Sequence, residues 1–227
     1  MIRCSHQRKR RASLRGKMIE IKKLTKSFKG QIILNEVSFF SETGSITGII
    51  GRNGSGKTVL FKCMCGFLLS DSGQIILDNK DVTRIRERNG IIGAIIEEPG
   101  FLPDASGYEN LKYLALLGGK IGRKEILYAL DQVGLLEEKD KKVKKYSMGM
   151  RQRLGIAQAL MENPSVIILD EPMNGLDEQG VKDMRNLFLK LKAQNKTVVL
   201  TSHSKEDIDV LCDHVYRIDR GILMKER

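Results

Sequence analysis

Short apolar runs of strand length recur along the chain, each bounded by glycine or by polar residues. Runs rich in β-branched and other apolar residues with such boundaries predict β-strands. Strand-like alternation of apolar and polar residues begins at Met18, and predicted strands are frequent from there to about Asp78. The individual strands are predicted at residues 31–40, 46–50, 73–78, 91–97, 166–170 and 197–202, with a further pair of strands at the end of the chain.

After the strand at 91–97 the spacing of apolar residues changes from that of a strand to that of a helix. Helices are predicted at residues 106–117, 123–133 and 147–162, and a long helix that ends near Asn195 follows the strand at 166–170. Strands combined with helices in this order indicate an α/β protein. We therefore expect one α/β domain over residues 18–227, interrupted by a helical insertion at about 100–160. A chain of this length buries a sizeable core.

The formal net charge of +11 is concentrated at the N-terminal end. Residues 1–17 contain seven lysine and arginine residues and no acid, and subtracting these seven charges leaves +4 for residues 18–227. A folded part that is only mildly basic does not indicate a nucleic-acid-binding surface. Residues 1–17 are predicted either to form a disordered basic arm that contacts acidic lipid or RNA, or to precede the true start of translation at Met18. We prefer the second interpretation because strand-like alternation begins at Met18.

The lengths of the apolar segments and the spacing of the cysteines restrict the classes of protein to which the chain can belong. No uncharged apolar run reaches the length of a membrane span, so a role at a membrane would need another chain to cross it. No apolar segment follows the basic N-terminal residues, which excludes a secretory signal. The four cysteines, Cys4, Cys63, Cys65 and Cys212, are not spaced as a zinc site. We expect four free thiols in a reducing compartment.

Residues 51–58 match the phosphate-binding-loop pattern of a glycine, four free positions, then Gly-Lys-Thr. The segment follows the strand predicted at 46–50 and precedes a helix that continues through residues 59–65, which is the order this motif needs. Glycines let the backbone wrap closely around a polyphosphate, and backbone amides at a helix N-terminus supply positive potential. Lys57 is expected to reach the β- and γ-phosphates, and Thr58 to bind Mg²⁺. The predicted nucleotide ligands are Gly51, Arg52, Asn53, Gly54, Ser55, Gly56, Lys57, Thr58 and Val59.

An acidic pair, Asp170 and Glu171, follows four consecutive apolar residues. Ligands of an α/β sheet bind at the carboxyl ends of its strands, so a buried strand here delivers both side chains to the site. We expect Asp170 to hold Mg²⁺ through water and Glu171 to act as the general base that polarises the attacking water. Together with Lys57, the pair predicts an enzyme that hydrolyses a nucleotide.

Residues 147–153 read Ser-Met-Gly-Met-Arg-Gln-Arg. This segment resembles the signature motif of ABC transporter ATPases, usually Ser-Gly-Gly-Gln-Arg-Gln-Arg, and residues 18–227 resemble the ATP-binding subunit of an ABC transporter. The resemblance implies a phosphate-loop NTPase fold of ABC type, with a mostly parallel core sheet, an antiparallel β subdomain and an inserted α-helical subdomain. It also implies that Ser147 and Gly149, at a helix N-terminus, contact the γ-phosphate of ATP bound by the opposite subunit.

The resemblance assigns four further residues to the site. Asp177 lies in a segment, Asn-Gly-Leu-Asp, that resembles the family loop crossing the dimer interface. His203 directly follows a predicted strand and matches the switch histidine that senses the γ-phosphate. Phe28 matches the aromatic residue that stacks on adenine. Glu97 stands where the family usually has a glutamine that contacts Mg²⁺ and water.

Glu97 and the signature depart from the usual family pattern. A carboxylate at Glu97 places like charge near the acidic pair, which is expected to raise a pKa or to change metal affinity. In the signature, Met148 replaces a glycine and Met150 replaces a glutamine. These features, with Ile-Glu-Glu-Pro-Gly-Phe-Leu-Pro at residues 96–103, resemble the branch of the family that exports bacitracin and lantibiotics.

The resemblance implies a subunit that hydrolyses ATP with Mg²⁺ and powers an exporter of peptide antibiotics or similar amphipathic compounds. Two copies are expected to form an ATP-dependent homodimer that binds separate polytopic permease subunits and no nucleic acid. Such a subunit lies in the cytoplasm, on the inner face of the plasma membrane. The alternative is an ABC-type ATPase that acts on DNA or ribosomes, which a single nucleotide domain without a coiled-coil insertion disfavours. A small-molecule kinase does not account for the signature segment.

Overall fold

The computed structural model describes residues 16–85, 90–118 and 121–227. The prediction made for the basic residues 1–17 therefore lies almost wholly outside the described residues. The strands are β1 (Lys17–Phe28), β2 (Gln31–Glu42), β3 (Ile46–Ile50), β4 (Ser72–Leu77), β5 (Lys80–Asp81), β6 (Ile92–Ile95), β7 (Val166–Leu169), β8 (Thr197–Leu200), β9 (His214–Asp219) and β10 (Ile222–Lys225). The helices are α1 (Lys57–Met64), α2 (Gly107–Gly118), α3 (Arg123–Gln132), α4 (Met148–Leu160), α5 (Glu178–Ala193) and α6 (Lys205–Leu211), with a 3₁₀ turn at Val143–Lys145.

The central sheet has its strands in the order β10-β9-β3-β8-β7-β6. Neighbouring strands are parallel except β10, which is antiparallel to β9. All four residues of β7 and of β8 are buried, which is why these strands read as continuous apolar runs rather than as alternating ones. The carboxyl ends of parallel strands lie at one edge of a sheet, so β3, β7 and β8 bring the residues that follow them to one place.

The two faces of the central sheet are covered differently. On one face lies an antiparallel sheet of order β2-β1-β4-β5, together with α1. Alternate residues of β7 enter the core on this face, namely Val166 and Ile168, where they join Ile21 of β1 and Phe61 of α1. On the other face Ile167 and Leu169 join the core made with the remaining helices. This arrangement confirms the predicted α/β fold, with a mostly parallel sheet, an antiparallel sheet and helices inserted between β6 and β7.

Helix α4 lies directly against β6 at Gly93. A Cβ atom on Gly93 would lie 1.8 Å from the carbonyl oxygen of Ala159 and 2.8 Å from Cγ of Pro164. We expect Gly93→Ala to lower the free energy of unfolding by about 2–3 kcal/mol, because a backbone segment must move to admit the methyl group. Urea unfolding measures this change. Gly100→Ala is the control, since nothing lies within 4 Å of the added Cβ; equal stability of the two variants would contradict such close packing.

Two elements differ from the sequence-based expectations. Strand β6 ends at Ile95 rather than near Glu97, and Glu97 adopts a left-handed backbone conformation with φ of 63°. Helix α6 was not predicted. Ser204 caps it by accepting a hydrogen bond from the Asp207 amide at 3.3 Å. Serine followed three residues later by an acid is a helix-start signal that the spacing of apolar residues does not reveal.

Cys63, Cys65 and Cys212 are buried. No helix in the described ranges is long and apolar enough to cross a lipid bilayer.

Candidate nucleotide-binding site

The phosphate-binding loop connects β3 to α1 at the carboxyl edge of the central sheet. Gly51 has φ of 156°, and a Cβ atom there would lie 2.3 Å from the carbonyl oxygen of Ile218 in β9. A side chain at this position would therefore push the loop off the sheet. Gly54 has φ of 76°, and nothing lies within 4 Å of where its Cβ would be. This left-handed glycine leaves the loop open to close approach by a ligand.

Lys57 and Ser55 give the loop its polar groups. The Lys57 ammonium folds back over the loop and donates to the carbonyl oxygens of Gly51 and Arg52, at 2.8 and 3.1 Å. Ser55 is 7% exposed, and its Oγ has no hydrogen-bond partner among the described residues. An ammonium group and an unsatisfied hydroxyl beside the N-terminus of α1 fit a polyphosphate.

Two threonine hydroxyls hold the Asp170 carboxylate. Thr58, at the start of α1, donates to Oδ2 at 2.9 Å, and Thr201, just after β8, donates to Oδ1 at 2.7 Å. The structure thus brings together two of the residues predicted to bind Mg²⁺ and adds Thr201 to them. Mg²⁺ in nucleotide sites takes hard oxygen ligands, usually one or two carboxylates with phosphates and water. The oxygens of Thr58 and Asp170 fit this ion.

The backbone of Glu171 is held in an unusual conformation. Its φ of 49° is left-handed, which is uncommon for residues other than glycine and is enriched at functional sites. The Glu171 amide donates to Thr201 Oγ1 at 2.8 Å, and Gln152 Nε2 donates to the Glu171 carbonyl oxygen at 3.2 Å. Hydrogen bonds on both sides of the Cα atom therefore fix the direction of the Glu171 side chain.

The Glu171 carboxylate faces His203. Oε2 accepts a hydrogen bond from the His203 amide at 3.3 Å, and Oε1 lies 3.3 Å from the ring nitrogen Nε2. The ring contact lacks hydrogen-bond geometry, so the buried Oε1 has no hydrogen-bond partner within the described ranges. Burial raises the pKa of the Glu171 carboxyl above its ordinary value, His203 opposes part of that rise, and Asp170 adds to it. A partly buried carboxylate with a raised pKa and an oxygen that accepts no hydrogen bond is suited to accept a proton.

One cavity of about 840 Å³ joins these groups and falls within the size range of ligand pockets. The predicted site residues that line it are Phe28, Asn53, Gly54, Gly56, Lys57, Thr58, Val59, Glu97, Asp170, Glu171 and His203. Gly51, Arg52 and Ser55 belong to the same loop but do not line the cavity. Ser147, Gly149 and Asp177 do not line it either. The cavity thus contains most of the predicted site, and Met148, Arg151 and Gln152 of the signature segment line it although Ser147, Gly149 and Asp177 do not.

Ser147 and Asp177 each cap a helix. Ser147 Oγ accepts from the Met150 amide at 3.1 Å at the start of α4, and Asp177 Oδ1 accepts from the Gly180 amide at 2.9 Å at the start of α5. The Ser147 hydroxyl keeps its proton free to donate elsewhere. The Asp177 side chain therefore has a structural task within its own chain, which the sequence-based assignment to nucleotide binding did not include.

The first turn of α4, which carries Met148 and Gly149 of the signature segment, packs against the loop that precedes α5. A Cβ atom on Gly149 would lie 2.9 Å from the Gly175 carbonyl oxygen, and one on Gly175 would lie 2.6 Å from Met148 Cγ. The methionine that replaces the usual signature glycine therefore lies over Gly175. The two segments are in direct contact within one chain.

The Glu97 carboxylate pairs with a lysine of α1. Its Oε1 accepts a hydrogen bond from Lys62 Nζ at 2.7 Å, one turn of α1 beyond Thr58. The pKa of Glu171 is raised first by burial, and the carboxylate that adds to the rise is Asp170. Glu97 lines the cavity, but Lys62 neutralises its charge.

Phe28 lies at the end of β1, is 42% exposed and lines the cavity. Lys26 Nζ is 5.3 Å from the centroid of its ring and donates to Asp71 Oδ1 at 2.8 Å. Hydrogen bonds from Lys26 and Ser27 lower the pKa of Asp71 to about 2. Asp71 thus holds the lysine against Phe28, and the exposed part of the ring is available for stacking.

Comparisons with known proteins show the family of the chain. Residues 34–174 match the model of the family described as ABC transporter. The bacitracin transport ATP-binding protein BcrA of Bacillus licheniformis is 40% identical over 211 residues, 92% of this chain and 69% of that protein. The lantibiotic transport ATP-binding protein SrtF of Streptococcus pyogenes is 36% identical over 210 residues, 92% and 90% of the two chains. A solved structure described as the dimeric structure of a bacterial ABC transporter cassette superposes with a TM-score of 0.85 at 26% identity, covering 92% and 98%.

The chain therefore belongs to the ABC transporter family. Within that family it is an ATP-binding subunit, an ATPase that powers a transporter.

Proposed function

We propose that this chain hydrolyses ATP to drive the export of peptide antibiotics or similar amphipathic compounds. The observation that carries the proposal is the single cavity in which Lys57, the Thr58–Asp170 pair and the Glu171–His203 contact all lie. The relatives described as bacitracin and lantibiotic transport proteins support the choice of cargo.

ATP is held by the loop and by Phe28 in this proposal. The Lys57 ammonium leaves the carbonyl oxygens of Gly51 and Arg52 and pairs with the phosphates, and Ser55 gains the partner that it lacks. The exposed part of the Phe28 ring stacks on adenine. Thr58 and Asp170 hold Mg²⁺, which neutralises charge on the phosphates when bound. Glu97, freed from Lys62, adds to this ligand set.

Glu171 is proposed to take a proton from the attacking water. Its left-handed backbone is tied to Thr201 and Gln152, which aims the carboxylate into the cavity. Burial and the free Oε1 make the carboxylate a better proton acceptor than an exposed one. His203 lies against Glu171, where it can contact both the carboxylate and the terminal phosphate.

A second copy of the chain is proposed to complete the site. Ser147, Gly149 and Asp177 lie outside the cavity of their own chain, yet Ser147 keeps a hydroxyl proton and Gly149 lies in the first turn of α4. A helix N-terminus with a hydroxyl donor suits a phosphate bound by another subunit. The similar cassette whose structure is dimeric supports a dimer. In the proposed dimer the two copies pair head to tail and enclose two ATP molecules.

The membrane partner is proposed to bind the helical part of the chain. Large apolar side chains are exposed on and beside α2 and α3, namely Leu102, Tyr113, Leu116, Leu117 and Tyr128. Exposed apolar side chains grouped on one part of a surface mark interaction sites. Docking there on separate polytopic permease subunits would place the chain in the cytoplasm, on the inner face of the plasma membrane.

Purification from the native host tests this proposal. Glu171→Gln carrying a C-terminal tag, extracted with detergent in the presence of ATP, is expected to bring down a polytopic membrane protein in stoichiometric amount. The double substitution Leu116→Glu and Leu117→Glu should abolish that recovery, because two charges then lie in the contact. Val210→Glu, at an exposed apolar residue of α6, is the matched control and should retain it. Recovery with ribosomes or DNA and without a membrane protein would overturn the transport function.

A further inference from the structure

The loop that carries His203 is held by a buried polar network. We propose that Ser202, Asp207 and Arg185 are positioning residues that set the place of His203 against Glu171 during ATP hydrolysis. This inference rests on the catalytic role proposed above for Glu171 and His203. It assigns a task in the reaction to three residues outside the sequence motifs.

The His203 ring does not fix its own position. Its side chain is 54% exposed, and within the described part of the chain its ion-pair contact is with Glu171. The backbone makes the firmer attachment, since the His203 amide donates to Glu171 Oε2 at 3.3 Å. The distance between the ring and the catalytic carboxylate therefore depends on whatever holds the backbone of residues 202–204.

Ser202 and Asp207 hold that backbone. Ser202 Oγ donates to Asp207 Oδ2 at 3.0 Å and accepts from the Ser204 amide at 3.1 Å. In a usual capping box the acid three residues after the cap binds the cap amide directly. Here the Ser202 hydroxyl stands between the Asp207 carboxylate and the Ser204 amide. The helix cap of α6 therefore reaches back over His203 to the residue before it.

Arg185 ties this cap to α5. Its Nε and Nη2 donate to Asp207 Oδ1 at 2.8 and 2.5 Å, and its Nη1 donates to Glu206 Oε1 at 2.7 Å. Asp207 is 3% exposed, so its charge is compensated by Arg185 rather than by solvent. Glu206 is exposed, and its contact with Arg185 is open to water. The buried arm to Asp207 is the one that restrains the loop.

The Ser202–Asp207–Arg185 network links the segment that follows Glu171 to the segment that carries His203. Helix α5 begins seven residues after Glu171, and α6 begins two residues after His203. Arg185 bridges the two helices, so it sets the distance between the segments that carry the carboxylate and the imidazole. A cavity of about 590 Å³ is lined by Glu171 and His203 together with Ser202, Arg185 and Asp207. The network therefore adjoins the reacting groups directly.

Steady-state ATP hydrolysis of four variants tests the proposal. Arg185→Met and Ser202→Ala should each lower kcat by about tenfold or more and leave KM for ATP within about twofold, because misplacement of a catalytic group affects the chemical step. Ser202→Ala keeps the Arg185–Asp207 pair, so it tests the same idea without leaving a buried charge unpaired. Glu206→Gln, which removes the charge of the exposed partner of Arg185, is the control and should keep kcat. His203→Ala gives the reference loss.

The double variant separates positioning from general stability. In a His203→Ala background, Arg185→Met should change the residual rate by less than about twofold, since residues that act through one group are not additive. In NMR spectra of histidine-labelled protein, the ring signals of His203 should shift in Arg185→Met and Ser202→Ala, while the ring signals of His214 should not move.

Two outcomes would overturn the inference, and they differ in meaning. An equal fractional loss of rate with and without His203, together with unmoved His203 signals, would show that Arg185 contributes only to stability. Full activity of His203→Ala alone would instead remove the role proposed for His203, and the positioning network with it.

Discussion

Glu171→Gln is expected to reduce steady-state ATP hydrolysis by about 10³-fold, because a proton acceptor contributes roughly 10²–10⁴ to such rates. The amide matches the carboxylate in shape, and the hydrogen bonds that hold the residue's backbone to Thr201 and Gln152 do not involve the side chain. ATP binding should therefore remain. Phosphate release measures turnover, and a fluorescent ATP analogue measures the dissociation constant. In size-exclusion chromatography the variant should form a dimer with ATP that persists, since the nucleotide is not consumed.

Glu178→Gln provides the control for this result. Glu178 lies in the first turn of α5 with an exposed side chain that pairs with Lys182, and its replacement should leave turnover unchanged. Hydrolysis by Glu171→Gln at more than about a tenth of the wild-type rate would be too fast for loss of the general base. The proton would then be accepted elsewhere, and the assignment of Glu171 would be wrong.

Lys57→Ala is expected to weaken ATP binding by about 100-fold, which corresponds to about 3 kcal/mol for the loss of charged hydrogen bonds to the phosphates. The variant also loses the two hydrogen bonds from Nζ to the carbonyl oxygens of Gly51 and Arg52. Its loop is therefore less well organised before ATP arrives. Isothermal titration calorimetry with ATP, in the presence and absence of Mg²⁺, measures the effect on affinity.

Lys182→Ala is the matched control for Lys57→Ala. Lys182 is an exposed lysine of α5 whose partner is Glu178, so its removal should leave ATP affinity as it is. If Lys57→Ala binds ATP as tightly as Lys182→Ala does, the ammonium does not contact the phosphates.

The strands and the chemical motifs could be predicted from the sequence because each is contiguous. The run before Asp170 is apolar throughout since β7 is buried on both faces, and this pattern is readable without knowing the neighbours of the strand. The phosphate-binding loop likewise occupies consecutive positions. Both features can be recognised from the sequence alone because each depends on residues that are close together in the chain.

Contacts between distant segments could not be predicted in this way. Thr201 binds Asp170 from 31 residues away because β8 lies between β3 and β7 in the central sheet, and nothing in the apolar pattern gives that order. Lys62 of α1 pairs with Glu97 from 35 residues away, and nothing in the apolar pattern predicts this contact either. A hydroxyl residue directly after a buried strand is the signal that would have identified Thr201.

Helix α6 was missed for a different reason. It has seven residues, too few for a clear helical period. Asp207 binds Ser202 and Arg185 instead of the cap amide. The residue that would mark the start of the helix is therefore also the residue that joins the helix to the site.

Contact between Met148 and Gly175 has a consequence for the behaviour of two ATP sites in one dimer. In the proposed assembly the signature of each copy touches the nucleotide of the other, while Gly175 lies four residues after Glu171 of its own copy. In this assembly, nucleotide bound at one site contacts the signature segment of the opposite copy, which carries Met148. Met148 packs on Gly175 of its own copy, in the segment that follows Glu171 of the other site. In this assembly direct packing couples the two sites, so the ATP-binding curve should have a Hill coefficient that differs from unity.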